Sequence, residues 1–490
     1  MRLSLACLAF ALVAANACDR AADTRRPAAE PGTAAEPAKN VVLVVGDALR
    51  ARNLPFHGYD RATAPFLSEL AEDSLVYDNA FSHYSSTWAT FSNLFTGRAY
   101  SALVADGEFT AKSRNDRGGG LIEANTTLAE ILATVGVRAR AVSANPYLAE
   151  EHGFAQGFEA FHDWSDWDPD FWSSVRKFRA PEVNEVAFRH LDELAAGEGP
   201  WLLLLLYFET HNPYQPPAEY RRGLVDPDYP RRDRNQGGGP RDADGETLKY
   251  LTPEVAEWYS EEDVAHLTSL YDGEIAAFDA GIRDLVGHLE ARGLRDDTVL
   301  IVTADHGESL FDRGYWGHGF LSRDEVQHVP LLVANTGLPP RRVRGVAGTS
   351  DIFHSLLHHF GAEAPPARRL PWAMDVLRAE ERGPVVLSEG EGKTRIVRDA
   401  RYSFYRHLDI EGRFPIPVRN GDFLFDRSRD PGELDNLLAD PEQRERAIAV
   451  RDRLLRQAGE LGNDTASAED PFLQGDEERL ERLRALGYVR

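Results

Sequence analysis

The sequence predicts an α/β sandwich, a mostly parallel central sheet with helices on both faces, followed by a small C-terminal α+β subdomain. Three observations carry this. Val41–Val45, Trp201–Phe208 and Val299–Val302 are short, unbroken apolar runs of the kind buried on both faces of a parallel sheet. Segments of helical period separate them, which is how parallel strands are joined. From about Pro384 the pattern shifts to brief strand-like runs, Val385–Leu387, Thr394–Val397, Tyr402–Tyr405 and Phe423–Phe425, which suggest a small antiparallel sheet.

Taken in order, Asn40–Val45 reads as the first buried strand and stops on Gly46-Asp47. Thr63–Ala71 begins a helix, and Thr87–Arg98 reads as a short helix opened by a hydroxyl cap and closed by Gly97. Thr127–Val135 is helical and Arg138–Ser143 a strand, whereas Ala155–Trp172, crowded with aromatic and acidic residues, reads as loop and surface. Ala180–Ala196 is helical by period, and Trp201–Phe208 runs into Glu209-Thr210-His211. Arg221–Glu246, polar and containing three successive glycines, reads as an exposed insertion. Asp263–Arg292 is a long amphipathic helix feeding the strand Val299–Val302, which ends on Asp305-His306. Leu331–Val333 and the helix Asp351–Phe360 complete the large domain, and charged helices follow at Pro441–Leu461 and Glu477–Leu486. The expected division is a domain over 40–380 and a smaller one over 381–490.

The chain has 490 residues, 42% hydrophobic and 27% charged, as expected of a globular protein. Its net charge of −24 disfavours binding to nucleic acid, which needs clustered cations. It leaves anionic substrates open, because a bound cation inverts the field locally. Arg2 and the apolar Leu3–Ala15 form an export signal too short to span a bilayer comfortably. Ala15-Asn16-Ala17-Cys18 resembles a bacterial lipoprotein processing site, with lipid on Cys18; cleavage nearby by ordinary signal peptidase is the alternative. This implies an exported, periplasmic protein whose membrane contact is an N-terminal lipid anchor, with residues 1–18 as signal and 19–39 as a flexible tether. The remaining cysteine, Cys7, lies inside the signal, so the mature chain has no disulfide, zinc–thiolate site or cysteine nucleophile.

Three buried strands each run into polar candidates: Asp47, His211, and the pair Asp305-His306. Each has a bland reading as a cap or loop filler. Their repetition at the carboxyl ends of separate apolar strands favours one shared site at the sheet edge. Asp and His together suit a divalent cation.

At this point the sequence resembles the sulfatase-like branch of the alkaline phosphatase superfamily. The resemblance rests on VVLVVGDALRARNLPFHGYDRATAPFLSELA, TWATFSNLFTGR, ETHNPYQPP, VLIVTADHGESLFDRGYWGHGF, HVPLLV, FLFDRSRDPGELDNL and the tail LRALGYV, in the family's order. It implies that Asp47, Asp305 and His306 are metal ligands, that Thr87 is both nucleophile and ligand, and that His211 and His318 contact substrate. His318 stands where many arylsulfatases have lysine. The departure lies at Thr87-Trp88-Ala89-Thr90-Phe91, where arylsulfatases carry a cysteine or serine that becomes formylglycine. Threonine cannot yield that aldehyde, so no formylglycine is expected.

Ala48 replaces the second aspartate of calcium arylsulfatases, and His306 a common asparagine. Imidazole favours Zn²⁺ or Mn²⁺ over Ca²⁺ or Mg²⁺. The implied reaction is in-line attack by Thr87 on a small anionic ester, sulfuric, phosphoric or phosphonic, such as an envelope glycan or lipid headgroup. His211 would hold a non-bridging oxygen and His318 protonate the leaving oxygen. Competing expectations are a phospho-group transferase of the envelope and a non-catalytic binding protein on the same scaffold.

Overall fold

The computed structural model describes residues 39–110, 119–167, 177–230, 258–319, 322–365, 373–379, 385–391, 393–408 and 419–460. The expected signal, most of the tether, the 231–246 part of the insertion and the 477–486 helix lie outside the described residues. Eight strands form the main sheet: β1 Asn40–Gly46, β2 Ser74–Phe81, β3 Arg138–Ser143, β4 Ala160–His162, β5 Trp201–Tyr207, β6 Thr298–Ala304, β7 Leu331–Ala334 and β8 Arg341–Gly348. Their spatial order is β8-β2-β7-β6-β1-β5-β3-β4. β7 runs against both its neighbours, and every other pairing is parallel. The large, mostly parallel sheet is the one the apolar runs predict.

The centre of the sheet is the most apolar part of the chain. Every residue of Leu202–Leu206 is wholly buried, as are Val41–Val44. Full burial of one such side chain stabilises the fold by about 1.5–3 kcal/mol. β1, flanked by β5 and β6, therefore forms a rigid platform for whatever leaves its carboxyl end.

Helices fall into two packed sets among the described residues. The first comprises α1 Pro65–Glu72, α4 Ala180–Ala196 and α5 Glu261–Ala291. The second comprises α2 Thr87–Thr96, α3 Leu128–Ala133 and α6 Thr349–His359. Asp279 of α5 accepts bonds from the Phe66 and Leu67 amides at 3.0 and 2.7 Å, capping α1 from outside. Gly97 closes α2 at φ 67°, against the Phe353 ring of α6. An added Cβ there would lie 2.5 Å from that ring, so both conformation and space demand glycine.

Two differences from the sequence reading have physical causes. Within Ala155–Trp172, expected to be loop, Ala160–His162 pairs with Arg140–Val142 as the edge strand β4, and Trp164–Trp167 is a helical turn. Elements this short carry no readable period. β8 was not expected: RRVRGVAG is an exposed edge strand at its start, and its arginines and glycines hide the pattern.

The small antiparallel sheet predicted beyond Pro384 is present as β9 Val386–Gly390, β10 Thr394–Arg398, β11 Tyr402–His407 and β12 Gly421–Asp426. It shares an apolar cluster with Ala447 and Leu454 of α7 Arg444–Glu460. β9 is also tied to the segment before α2: the Glu389 amide donates to the His83 carbonyl at 2.7 Å, and Ser388 Oγ to the Ser82 carbonyl at 2.8 Å.

Candidate active site

The register fixes where the polar residues emerge. Gly46 at the end of β1 stands opposite Tyr207 and Ala304, the last residues of β5 and β6. Ser143 ends β3 opposite Leu206. Four adjacent parallel strands, β6, β1, β5 and β3, thus deliver Asp305-His306, Asp47, His211 and Asn145 to one edge, and α2 brings Thr87 there from beyond β2. This is the carboxyl edge at which open α/β sheets bind ligands.

Asp47, Asp305 and His306 converge. One ligand atom from each lies within 4.8 Å of the other two, and all three side chains are buried. His306 Nδ1 is 2.9 Å from the Gly307 carbonyl oxygen, which can only accept, so Nδ1 carries the proton. Burial, opposed by Asp305, holds this imidazole below its usual pKa and hence neutral. Its Nε2 lone pair faces Asp305 Oδ2 at 3.5 Å, Asp47 Oδ1 at 3.8 Å and Thr87 Oγ1 at 3.4 Å.

Those two carboxylate oxygens are buried and make no hydrogen bond. Burial, and next the charge of Asp305, push the Asp47 carboxyl well above its usual range. Two orphaned carboxylate oxygens beside an imidazole lone pair are costly alone and complete with a divalent cation. The donor set therefore fits a metal, and Asp305 is already aligned for it. Its Oδ1 accepts from the Ala48 amide at 3.2 Å and the His306 amide at 2.8 Å. Ala48 sits at φ 58°, a sharp turn that brings its N–H to Asp305.

Thr87 is the first helical residue of α2, and Ser86 occupies the cap position without a side-chain cap bond. Its Oγ1 accepts from Asn145 Nδ2 at 3.2 Å, and the same amide donates to Asp47 Oδ2. Asn145 Oδ1 in turn accepts from the Tyr147 amide at 2.7 Å, fixing which end of the side chain donates. An anion at Thr87 would meet the amino end of α2, whose N–H groups and dipole favour negative charge.

His211 and His318 lie beside this cluster. The His318 ring is 4.2 Å from that of His306 and 4.9 Å from that of His211, centre to centre. His211 Nδ1 donates to the Asn212 carbonyl at 2.6 Å, and the ring stacks on Phe208 at 4.5 Å. Burial, then His318 and Lys177, hold it well below its usual pKa, so it is neutral with Nε2 as an acceptor. His318 Nδ1 lies 2.9 Å from Glu308 Oε1.

The structure brings together all six residues singled out from sequence. Asn145 and Lys177 were not among them. The Lys177 side chain is 6% exposed; its Nζ donates to the Glu209 carbonyl at 2.9 Å and to the His211 carbonyl, and lies 3.5 Å from Glu274 Oε1. Asn145 follows β3 as Asp47 follows β1, so the strand-to-polar rule applied once more would have found it. Nothing near Lys177 in the sequence marks it.

A profile described as Sulfatase matches residues 39–362. The chain belongs to the sulfatase family. That family sits within the alkaline phosphatase superfamily, and the match makes this chain an ester hydrolase. A sulfatase-family relative, Arylsulfatase K of Canis lupus familiaris, is 23% identical over 87% of this chain and 84% of its own length. The multifunctional alkaline phosphatase superfamily protein PehA of Trinickia caryophylli is 23% identical over 54% of this chain and 56% of its own. The crystal structure of the phosphonate monoester hydrolase of Agrobacterium radiobacter superposes with a TM-score of 0.63 at 18% identity, covering 87% of this chain and 97% of that one. At that identity the likeness speaks for the sulfatase fold alone.

Proposed function

We propose that this sulfatase-family protein is a metal-dependent hydrolase of small anionic monoesters that uses Thr87 as its nucleophile. One observation carries the reading: Thr87 Oγ1 lies at the amino end of α2, 3.4 Å from His306 Nε2 in the cluster whose buried carboxylate oxygens lack partners. Asp47, Asp305 and His306 would hold a divalent cation, which when bound supplies positive charge to stabilise a Thr87 alkoxide and the substrate's anionic oxygens. Two carboxylates and an imidazole favour Zn²⁺ or Mn²⁺.

Thr87 attacks in line and forms a covalent ester while the leaving oxygen takes a proton from His318 Nε2. Asn145 holds Thr87 Oγ1 in place through its amide. His211, with Nε2 as acceptor, takes a hydrogen bond from a protonated oxygen of substrate or water. A formylglycine sulfate ester can collapse by breaking its C–O bond. A threonine ester has no such route and must be released by a second attack at the central atom. That requirement favours phosphate and phosphonate monoesters over sulfate esters. The phosphonate monoester hydrolase, as named, agrees with this preference; Arylsulfatase K, as named, supports the sulfate alternative.

The export features of residues 1–18 support a periplasmic protein carried on lipid at Cys18. No helix among the described residues is long and apolar enough to cross a membrane.

The test is a side-by-side assay of sulfate monoester, phosphate monoester, phosphodiester and phosphonate monoester, each with Zn²⁺, Mn²⁺ and Ca²⁺. Turnover of a phospho- or phosphonoester with Zn²⁺ or Mn²⁺ is expected. Sulfate turnover with Ca²⁺ alone would overturn the proposal.

A further inference from the structure

Glu308 is wholly buried, and both its carboxylate oxygens are engaged. Oε1 lies 2.9 Å from His318 Nδ1, and Oε2 accepts from the Tyr214 hydroxyl at 2.8 Å. Its backbone carbonyl accepts from Arg50 Nη1 at 3.1 Å, and that guanidinium is itself bound to Asp312 at 2.8 Å. Tyr214 cannot swing away, because it is buried between the Tyr271 and Trp316 rings at 5.2 and 5.4 Å. Burial and the Glu308 charge hold its hydroxyl well above the usual phenol range, so it stays a donor. With Oε1 as the acceptor for Nδ1, the His318 ring is held by that nitrogen and Nε2 is the exchanging atom.

We infer that Glu308, anchored by Tyr214, is a positioning residue that lets His318 Nε2 serve both halves of the reaction. The inference rests on the Thr87 reading. In the first half, Thr87 enters as the alkoxide, its hydroxyl proton already lost to solvent; its Oγ bonds to phosphorus and the ester bond to the leaving oxygen breaks with its electron pair. The proton on Nε2 passes to that oxygen and leaves a neutral ring held through Nδ1. In the second half, Nε2 takes a proton from water and the water oxygen bonds to phosphorus. The bond to Thr87 Oγ breaks with its electron pair, and His318 regains its charge. Glu308 keeps its hold on Nδ1 in both halves, so the ring does not turn as its charge changes. A lysine at position 318 could donate the first proton but would be a poor base for the water. The Glu308–His318 pair therefore supplies what a threonine ester needs and a formylglycine ester does not.

The test compares phenyl and 4-nitrophenyl esters of one phosphonate on wild type and Glu308→Gln, with the second half followed as a nitrophenol burst. Protonation matters more for phenol, the poorer leaving group. The expected result is a kcat loss of about 100-fold on the phenyl ester. The loss on the first turnover of the nitrophenyl ester is at least tenfold smaller, and the concentration that half-saturates that first turnover stays within about threefold of wild type. A burst in the variant followed by slow turnover would report the stalled second half. Tyr214→Phe, which frees only one carboxylate oxygen, should show the same leaving-group pattern more weakly, and it keeps the test valid if Glu308→Gln does not fold. Nitrogen-15 spectra of the histidines, with His318 assigned by a His318→Gln difference, should show Nδ1 protonated in wild type. Equal losses on both esters, a loss confined to KM, or a wild-type His318 protonated on Nε2 alone would overturn the inference. Turnover that survives Thr87→Ala while Glu308→Gln keeps its leaving-group pattern would sink the Thr87 reading and the two-half scheme, yet leave Glu308 as the residue that positions His318.

Discussion

Asp47→Asn should reverse its effect on stability when metal is added. In the metal-free protein, Asp47 Oδ1 and Asp305 Oδ2 are buried acceptors without donors. An asparagine keeps an oxygen for Asn145, replaces the orphaned Oδ1 by N–H₂, and turns that donor toward the remaining orphaned acceptor, Asp305 Oδ2. Satisfying one such group is worth about 1–3 kcal/mol. The sign follows from the carboxyl's raised pKa in the folded state, caused first by burial and then by Asp305. Because the folded state holds this proton more tightly than the unfolded chain, stability falls as pH rises from the unfolded value, about 4, through the raised one. The variant's advantage is therefore absent in acid and grows as pH rises through the raised value. Added cation acts oppositely: at a thousand times its Kd it stabilises wild type by about 4 kcal/mol, while the variant has lost a ligand. Thermal unfolding in EDTA should place the variant about 1–3 °C above wild type, and Zn²⁺ or Mn²⁺ should put wild type on top. A variant less stable than wild type in EDTA, or one with an equal metal-induced shift, would refute the reasoning.

Three further outcomes follow from other parts of the chain. Asp351, which accepts from the Gly348 and Met374 amides, is pushed by burial up to about 7. Its contribution to stability should decline as pH rises from about 4 to about 7, and melting curves of Asp351→Asn should lack that slope. Lys177→Met removes the donors from the Glu209 and His211 carbonyls, so about 2–3 kcal/mol of stability and most of kcat should be lost in denaturant titrations and rate assays. Cys18→Ser should move the protein from the membrane fraction to the soluble periplasmic fraction, and an unchanged distribution counts against lipid attachment.

What the sequence discloses follows from how local each signal is. β1, β5 and β6 are legible because they are apolar on both faces and stop abruptly at polar residues. α4 and α5 are legible through their period, and the Ser260 cap of α5 marks its start within two residues of the reading. β4 and β8 are edge strands, short or mixed with arginine, so no pattern sets them apart. The candidate site divides the same way. Asp47, His211 and Asp305-His306 terminate obvious strands. Thr87 came from the family likeness, since a threonine opening a helix is otherwise an ordinary cap. The Tyr214 to Glu308 bond spans 94 residues, and only the folded chain brings its ends together. The His211 bond to its own neighbour's carbonyl is likewise invisible in sequence, and it changes the hydrogen bond that histidine can make.

The central claim is that Thr87 forms a covalent intermediate. Rapid acid quench of the metal-loaded protein during turnover of a 4-nitrophenyl phosphonate, followed by peptide mass analysis, tests it directly. The account predicts a phosphonylated peptide modified at Thr87, and neither adduct nor turnover in Thr87→Ala, which should retain the wild-type metal content. Turnover in Thr87→Ala, or an adduct on another residue, would contradict it.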